Sequence, residues 1–322
     1  MKRRDLLTLA TMLPLAGGAR AQQGYPTKSI RFVVPFAPGG TSEIVARVVA
    51  QELTQQFGQT VYVENKAGGA GTIAMSDVAK SAPDGYTLIQ SHVGTFAVNP
   101  YAMARQPYDV DKDFLPVGLL ARVPNIFVCN AEFPARNFKE FVDLAKKNPG
   151  KFNYGSAGNG SAGHLAFEYL KLVTGTHIVH IAYRGTGPQL QDLLAGRTEL
   201  SSAGTPALMP HIKSGKLRPL AVGTPQRIAS LPDVPTVAEM GYPDFETSQW
   251  YGVHVPAGTP RAIVMRLNAE INKALRASGV TQRLANDNAA AGIGSPEDYA
   301  AFVRKEQARW QQVVKRANIV ID

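Results

Sequence analysis

Short runs of β-branched residues alternate with helical patterns along most of the chain, and this alternation constrains the fold more than any other feature. The run IRFVVPF is the first predicted strand. The next segment, TSEIVARVVAQELTQQFG, places Ile44, Val45, Val48, Val49 and Leu53 on one face of a helix. VYVENK and YTLIQS continue the pattern. Strands that alternate with helices are typical of α/β proteins with mostly parallel sheets.

The chain is predicted to cross twice between two α/β units. The segment VGLLARVPNIFVCN leads into a second unit, and ETSQWYGVHVPAGTP returns the chain to the first. We therefore expect a discontinuous domain I, residues 22–124 and 250–322, and an inserted domain II, residues 125–249. A mature length of about 300 residues also favours two domains over one. This arrangement leaves a cleft between the domains, with the two crossing strands as its hinge.

Residues 1–21 are predicted to be a cleaved export signal. Lys2, Arg3 and Arg4 precede the apolar stretch LLTLATMLPLAGG, and ARA at residues 19–21 supplies an A-x-A cleavage site. The RRDLL run also resembles a twin-arginine signal, so the Sec and Tat export routes both remain open. No cysteine follows the cleavage site closely, and no other run approaches the length of a membrane span. The sequence thus predicts a soluble protein outside the cytoplasm.

The segment GNGSAG fits the GxGxxG pattern of a dinucleotide-binding loop, with Gly158, Gly160 and Gly163 in the three glycine places. A strand pattern precedes it and a helix pattern follows it. A dinucleotide site also needs an acidic residue after the next strand, but IVHIAY runs into Arg184 with no acidic residue. Because Arg184 is able to hold a 2′-phosphate, an NADP enzyme remains a remote alternative. An exported protein, however, meets little free nicotinamide cofactor.

Three further strand-to-helix junctions repeat this chemistry. They are PFAPGGTSE, with Thr41 as the expected N-cap, AYRGTGPQ, with Pro188 expected at the first helical position behind Thr186 or Gly187, and SSAGTPALMPHI, with Thr205 before Pro206. Each junction places unpaired N–H groups and a positive helix end at the C-terminal edge of a sheet. An ordinary capped helix explains any single junction equally well. Four of them around one cleft predict a site for an anion with more than one carboxylate.

Nucleic-acid binding and catalysis are not expected. Basic residues are scattered, and loss of the signal's four basic residues and one acidic residue lowers the formal net charge from +9 to +6. Ser161 misses the GxSxG nucleophile elbow because Asn159 occupies the first glycine place. The six histidines include no HExxH, and His177 and His180 are predicted to face opposite sides of a strand. We therefore expect no metal, no cofactor and no enzyme activity. The single cysteine, Cys129, lies in the apolar run NIFVCN and is expected to be a buried free thiol.

Six segments carry a resemblance to a known family. They are YPTKSIRFVVPFAPGG, QPYDVDKDFLPVGLLARVPNIFVCN, KFNYGSAGNGSAGHLAFEYL, VHIAYRGTGPQLQDLLAG, MPHIKSGKLRPLAV and LPDVPTVAEMGYPDFE. In this order they resemble the Bug family, the solute-binding proteins of tripartite tricarboxylate transporters. The resemblance implies a monomeric, type II-like periplasmic binding protein whose two α/β domains close around a small organic anion. It also implies delivery to a membrane permease of one large and one small subunit. A sensor that presents the closed form to a signalling receptor is the alternative.

The resemblance also implies which residues bind the ligand. In the family, the loop after the first strand holds one carboxylate, partly through water, and backbone and hydroxyl groups of the inserted domain hold the other end. The matching positions here, with the ends of two further strands, are Phe36, Ala37, Pro38, Gly39, Gly40, Thr41, Ser91, His92, Ala157, Gly158, Asn159, Gly160, Ser161, Tyr183, Gly185, Thr186, Ser202, Ala203, Gly204 and Thr205.

The segment ELSSAG departs from the family pattern in a way that narrows the ligand. Members that bind amino acids hold the ammonium group with an acidic residue in a segment such as DLMFDN, and Ala203 occupies that position here. A ligand with an ammonium group is therefore not expected. Ser201 and Ser202 replace a large apolar pair, which predicts a roomier or more polar site. We expect a dicarboxylate without an amino group, either aliphatic, like succinate or adipate, or aromatic, like terephthalate.

Two further residues differ from the family pattern. His92 lies where the family commonly has a small residue, at the end of a first-domain strand. Two roles remain open for it: an imidazole donor to a ligand carboxylate, or a structural hydrogen-bonding residue. Glu43 replaces the usual aspartate in the first turn of a helix, where we expect it to interact with its own helix end.

Overall fold

The computed structural model describes residues 24–321, so the predicted signal peptide lies outside the described residues. The first part of the chain alternates strands and helices as predicted. A 3₁₀ turn, Gly69–Gly71, precedes α2, and a π-helical turn, Gly94–Val98, follows β3. The regular elements of this part are β1 (Ile30–Val34), α1 (Thr41–Phe57), β2 (Val61–Asn65), α2 (Thr72–Ala79), β3 (Thr87–His92) and α3 (Asn99–Ala102).

A long strand, β4 (Phe114–Asn130), carries the chain into a second group of alternating elements. The elements are α4 (Phe138–Lys147), β5 (Asn153–Ser156), α5 (Ala162–Thr174), β6 (Val179–Ala182), α6 (Thr186–Leu194), β7 (Leu200–Gly204), α7 (Thr205–Lys213) and β8 (Leu217–Val222). In this group α7 begins at the residue after β7, whereas short loops separate α5 from β5 and α6 from β6.

A second long strand, β9 (Ser248–Pro256), returns the chain to the first group. The final elements are α8 (Arg261–Arg276), α9 (Ser278–Asn286), β10 (Ala290–Ala291) and α10 (Pro296–Arg316). We call β1–β3 with α1–α3 and α8–α10 the first half, and β5–β8 with α4–α7 the second half.

The strands form one mixed sheet in the order β2-β1-β3-β9-β4-β7-β5-β6, with β8 and β10 also paired to β4. Pairing is parallel inside each half, between β1 and β2, β1 and β3, β5 and β6, and β5 and β7. Pairing is antiparallel wherever β4 or β9 takes part. The expected parallel sheets are therefore present, and two antiparallel strands join them.

The strand β4 changes partners along its length. It pairs with β9 from Phe114, opposite Pro256, to Pro124, opposite Ser248. From Asn125 onward it pairs instead with β7 and, from Ile126, with β8. One continuous strand thus belongs to the sheets of both halves, which places the two halves side by side with β9 as the second connection.

Each half has helices on both faces of its strands. In α1 the buried positions are Val45, Ala46, Val49, Ala50 and Leu53, whereas the expected Ile44 and Val48 are only partly buried. The buried stripe is therefore rotated slightly from the expected one and includes two alanines.

The C-terminal helix α10 contributes to the core of the first half. Trp310 is buried, and its indole Nε1 donates to Glu306 Oε2 at 3.3 Å. The indole of Trp250 on β9 donates to the same oxygen at 3.1 Å. One face of α10 is therefore part of the core, although the helix carries many charged residues.

The single cysteine, Cys129, is fully buried on β4 with its thiol free, and burial raises its pKa to about 11. Among residues 24–321, no helix combines the length and apolar character that a membrane crossing requires.

Candidate functional site

A small cavity lies where strands of both halves end. Its volume is about 20 Å³, close to the space needed by one water molecule. Eight of its lining residues are predicted site residues, whereas Ser42, Ala162, Gly163 and Gln249 were not predicted. The lining residues are Phe36, Gly40, Ser42, His92, Ala157, Ser161, Ala162, Gly163, Thr186, Ser202, Ala203 and Gln249.

The first turns of three helices border this cavity. The helices α1, α5 and α6 begin at Thr41, Ala162 and Thr186. N–H groups in a first helical turn have no partner inside the helix, and they carry the positive end of the helix dipole. The cavity therefore has the geometry of an anion site built from neutral donors.

The loop between β1 and α1 is held by Glu43. Gly39, whose φ is +88°, donates its N–H to Glu43 Oε2 at 2.7 Å, and Arg47 Nε donates to Glu43 Oε1 at 2.7 Å. Glu43 is therefore satisfied at its own helix end, as expected. Thr41 is the first residue of α1 rather than its N-cap, which is Gly40 without a side-chain bond. Pro188 is likewise the third residue of α6 rather than the first, because that helix already begins at Thr186.

Two backbone N–H groups of the GNGSAG loop are already bonded within the protein. Gly158 donates to Ser156 Oγ at 3.1 Å, and Gly160 donates to His164 Nδ1 at 3.1 Å. These groups are therefore not available to a pyrophosphate or a carboxylate. The first turn of α5, which follows the loop, lines the cavity instead.

Two stacked histidine rings hold the shape of the GNGSAG loop. The rings of His164 and His180 stack with centroids 4.2 Å apart, and His180 Nε2 lies 2.7 Å from Ser156 Oγ. Burial lowers the pKa of His164 to about 4 and that of His180 to about 3, so both are neutral at pH 7. The loop therefore depends on two uncharged imidazoles.

The end of β7 contributes a hydroxyl group to the cavity. Ser202 and Ala203 line it, and Ser202 Oγ is buried with no hydrogen-bond partner in the described part of the chain. Ser201 is not a lining residue, because neighbouring residues of a strand face opposite sides. A buried hydroxyl without a partner costs free energy, so Ser202 gains from a ligand that accepts its hydrogen.

His92 contributes a second donor. Its side chain is in the cavity wall and the residue is only 2% exposed. The backbone N–H of Gly94 donates to His92 Nδ1 at 3.0 Å, and burial lowers the pKa of His92 to about 3. A neutral ring that accepts at Nδ1 carries its proton on Nε2. His92 is therefore a structural acceptor on one side and a neutral donor on the other.

Gln249, on β9, was not predicted because it is far in sequence from every glycine-rich junction. Its Nε2 donates to Asn125 Oδ1 at 2.6 Å, and Tyr251 donates its hydroxyl to Gln249 Oε1. The two crossing strands thus hold this amide in the cavity wall.

The remaining predicted residues lie outside the cavity wall. Ser91 has a structural role, since its Oγ lies 2.5 Å from Tyr299 Oη and 2.8 Å from His254 Nδ1. Thr205 donates its hydroxyl to the carbonyl of Asp287. The others are Ala37, Pro38, Gly39, Thr41, Gly158, Asn159, Gly160, Tyr183, Gly185 and Gly204.

The two halves meet backbone to backbone beside the cavity. A Cβ atom on Gly94 would lie 2.1 Å from the carbonyl oxygen of Gly160, and one on Gly187 would lie 2.3 Å from that of Pro38. Real Cβ atoms do not approach an oxygen so closely. Glycine at these positions is therefore a condition for the halves to close.

The arrangement has the chemistry of a binding site. None of the twelve cavity-lining residues is an aspartate, glutamate, lysine or arginine. Ser161 Oγ accepts the N–H of His164 as the N-cap of α5, which leaves it in a structural role. Within residues 24–321, no group of three His, Cys, Asp or Glu side chains is placed to hold a metal ion.

The fold and the site define a class. Two α/β halves joined by crossing strands, with a cavity bordered by helix first turns at the junction of their strand ends, make a two-domain solute-binding protein of the periplasmic binding protein type. Residues 45–319 match the family described as the tripartite tricarboxylate transporter family receptor, TctC. The chain belongs to this family, whose members are periplasmic receptors.

Individual relatives agree with this assignment. Protein BugT of Bordetella pertussis is 38% identical over 292 residues, which cover 90% of this chain and 90% of BugT. The structure of R. palustris Rpa4515 with adipate has a TM-score of 0.89 at 39% identity, covering 92% of this chain and 99% of that one. MatC (Rpa3494) from Rhodopseudomonas palustris with bound malate has a TM-score of 0.87 at 34% identity, covering 90% and 100%.

These comparisons confirm the predicted family, the two-domain α/β fold and the binding role. The remote alternative of an NADP enzyme is not supported, because the family consists of substrate-binding proteins. The self-bonded N–H groups of Gly158 and Gly160 give the physical reason why the nucleotide-like spacing does not indicate a nucleotide site here.

Replacement of Gly94 by alanine tests the contact between the halves. The added Cβ would collide with the carbonyl oxygen of Gly160, so we expect G94A to weaken ligand binding by at least about tenfold, or 1.4 kcal/mol. The melting temperature without ligand should stay close to that of the wild type. Calorimetric titration measures the affinity, and G279A, where a Cβ meets no atom within 4 Å, is the matched control. Equal affinities for G94A and the wild type would contradict the proposed role of this contact.

The buried histidines predict a loss of stability in mild acid. The pKa values of His92, His164, His180 and His254 are lowered to about 3 or 4 in the folded chain. Their full contribution is present above the unfolded pKa of about 6.5. As the pH falls below that value, the unfolded chain takes up protons that the folded chain excludes. The free energy of unfolding should then fall by up to about 1.4 kcal/mol per pH unit for each histidine.

Urea denaturation at pH 7 and pH 5 measures this change. Carboxylates titrate mainly below this interval, so the histidines dominate it. The variant H180Q, which retains a donor for Ser156, should lose about one histidine's share of the pH dependence. Equal stability of the wild type at the two pH values would exclude this explanation.

Proposed function

We propose that this protein captures a small organic dicarboxylate without an amino group and delivers it to the membrane permease of a tripartite tricarboxylate transporter. The observation that carries the proposal is the convergence of neutral donors on one cavity. Three helix first turns, the Nε2 proton of His92 and the unpartnered hydroxyl of Ser202 all border it. Each hydrogen bond to a charged group contributes about 1.5–3 kcal/mol, so several of them suffice for micromolar binding.

The composition of the cavity wall supports a ligand without an ammonium group. Ala203 lines the cavity, and the wall contains no acidic side chain that would pair with an amine. An unpaired ammonium group buried here would bear a large desolvation cost. Glutamate and aspartate are therefore disfavoured as ligands, whereas dicarboxylates of the same length without the amino group are not.

Two observations indicate which acid to expect. Adipate and malate occur in the structures of two similar proteins, which supports an aliphatic carboxylate for this chain. Small side chains at Ser202 and Ala203 leave an aromatic acid such as terephthalate as the second option. We place aliphatic C4 to C6 dicarboxylates first.

We further propose that the chain works as an exported, monomeric two-domain clamp. Domain I comprises residues 22–124 and 250–322, domain II comprises residues 125–249, and β4 and β9 act as the hinge. The signal at residues 1–21 directs export to the periplasm, where the closed form docks on the large and small permease subunits. The change of partner of β4 after Pro124 supports this division.

A thermal-shift panel on the mature chain tests the ligand class. Succinate, adipate, malate or terephthalate at about 100 times its dissociation constant should add roughly 2.7 kcal/mol to stability. Aspartate and glutamate should give no shift. A shift with terephthalate but with no aliphatic acid would reverse our order of the two options. Tight binding of glutamate or aspartate, with no response to any dicarboxylate, would refute the proposal.

The serine pair of β7 provides a matched test of the site. We expect S202A to weaken dicarboxylate binding by about tenfold, because the ligand loses one charge-assisted donor. S201A removes the same group from the neighbouring residue, which lies outside the cavity wall, and should leave the affinity unchanged. Both hydroxyls lack partners within residues 24–321, so neither variant should unfold. Equal effects of S201A and S202A in calorimetric titrations would show that Ser202 is not a ligand donor.

A further inference from the structure

A larger cavity adjoins the small cavity described above. Its volume is about 420 Å³, and it shares Phe36 and Ala157 with the small cavity. The rest of its wall comes from Pro35, the loop at residues 67–71, Ile73, residues 158–159 and residues 182–184 at the end of β6. We call this space the outer groove. It is large enough for most of a small organic molecule, whereas the inner cavity admits only one small polar group.

The wall of the outer groove is polar and apolar in about equal parts. Pro35, Ala70 and Ile73 supply apolar side chains, and Ile73 is 49% exposed although it is aliphatic. Tyr183 donates its hydroxyl to Asp192 Oδ2 at 2.7 Å, so this hydroxyl is already engaged with a carboxylate. The apolar part of the wall suits contact with a hydrocarbon segment.

Arg184 is the only charged residue that lines the outer groove. Its guanidinium pairs with no carboxylate in the described chain, residues 24–321. The nearby Asp192 is already bonded to Arg197, at 2.8 Å, and to Tyr183. The groove therefore combines a partly apolar wall with one unpaired cation.

The backbone of Arg184 is fixed to the other half of the molecule. Ala37, in the loop after β1, donates its N–H to the carbonyl oxygen of Arg184 at 3.1 Å. A Cβ on the next residue, Gly185, would lie 2.9 Å from the nitrogen and the Cβ of Ala37. Closure of the two halves thus sets the position of Arg184 relative to the inner cavity.

We propose that the ligand occupies both spaces: one carboxylate in the inner cavity, an apolar middle in the outer groove, and a second carboxylate paired with Arg184. This inference rests on the proposed function, and it adds that the ligand is a dianion whose two charges are separated by a hydrocarbon segment. Arg184 then selects for the second charge, whereas the neutral donors of the inner cavity bind the first. Guanidinium and carboxylate form a two-point hydrogen-bonded pair, which makes the selection strong.

Adipate and hexanoate form the critical pair of probes, because they have the same chain length and differ by one carboxylate. In calorimetric titrations of the mature chain, R184Q should weaken adipate binding by at least about tenfold and leave hexanoate within about twofold. R184K, which keeps the charge but loses the planar fork, should fall between R184Q and the wild type. R304Q is the matched control, since Arg304 is exposed on α10 and the change in net charge is the same.

The outcomes separate this inference from the function on which it rests. If the wild type binds adipate and R184Q binds it equally well, or if R184Q weakens adipate and hexanoate to the same extent, Arg184 does not read the second carboxylate. If the wild type binds malate or succinate but not adipate, the ligand does not extend into the outer groove. If the wild type binds no dicarboxylate at all, the proposed function itself fails. Arg184 is exposed, so the variants should melt at the wild-type temperature.

Discussion

The shared strand β4 is the constraint on which the binding site depends. Because it pairs with β9 over its first part and with β7 and β8 over its second, it joins the strands of the two halves where it changes partners. The ends of β1, β3, β5, β6 and β7 consequently open toward one space. Ligand sites in open α/β sheets lie at the carboxyl ends of strands. Here two such edges face each other, so donors from distant parts of the sequence meet without any charged clamp.

The glycines of this protein serve two different purposes. Gly39 permits a left-handed turn that lets Glu43 hold the loop, whereas Gly94 and Gly187 permit contact with a carbonyl group of the opposite half. Neither purpose is the phosphate binding that the GxGxxG spacing suggests. The spacing alone therefore gives the position of a tight strand-to-helix turn, and the neighbouring side chains, here Ser156 and His164, decide what the turn can bind.

Much of this was predictable from the sequence, and the exceptions have physical causes. The alternation of elements, the crossing strands and the bonding of Glu43 to its own helix end all follow from local patterns. Ser201 and Ser202 together replace a large apolar pair, but only Ser202 lines the cavity, because neighbouring residues of a strand face opposite sides. First-turn donors such as Gly163 follow the glycine loop rather than lie in it. Gln249 reaches the cavity through the pairing of β4 with β9, which no local pattern contains.

The contacts at Gly94 and Gly187 have a consequence for the protein when its halves are apart. The carbonyl oxygens of Gly160 and Pro38 then take hydrogen bonds from water, and closing replaces that water with Cα–H groups, which are much weaker donors. Dehydration of these two peptide groups costs free energy when the halves close, and hydrogen bonds to a ligand offset that cost. Ligand binding therefore favours the arrangement in which the two halves are in contact.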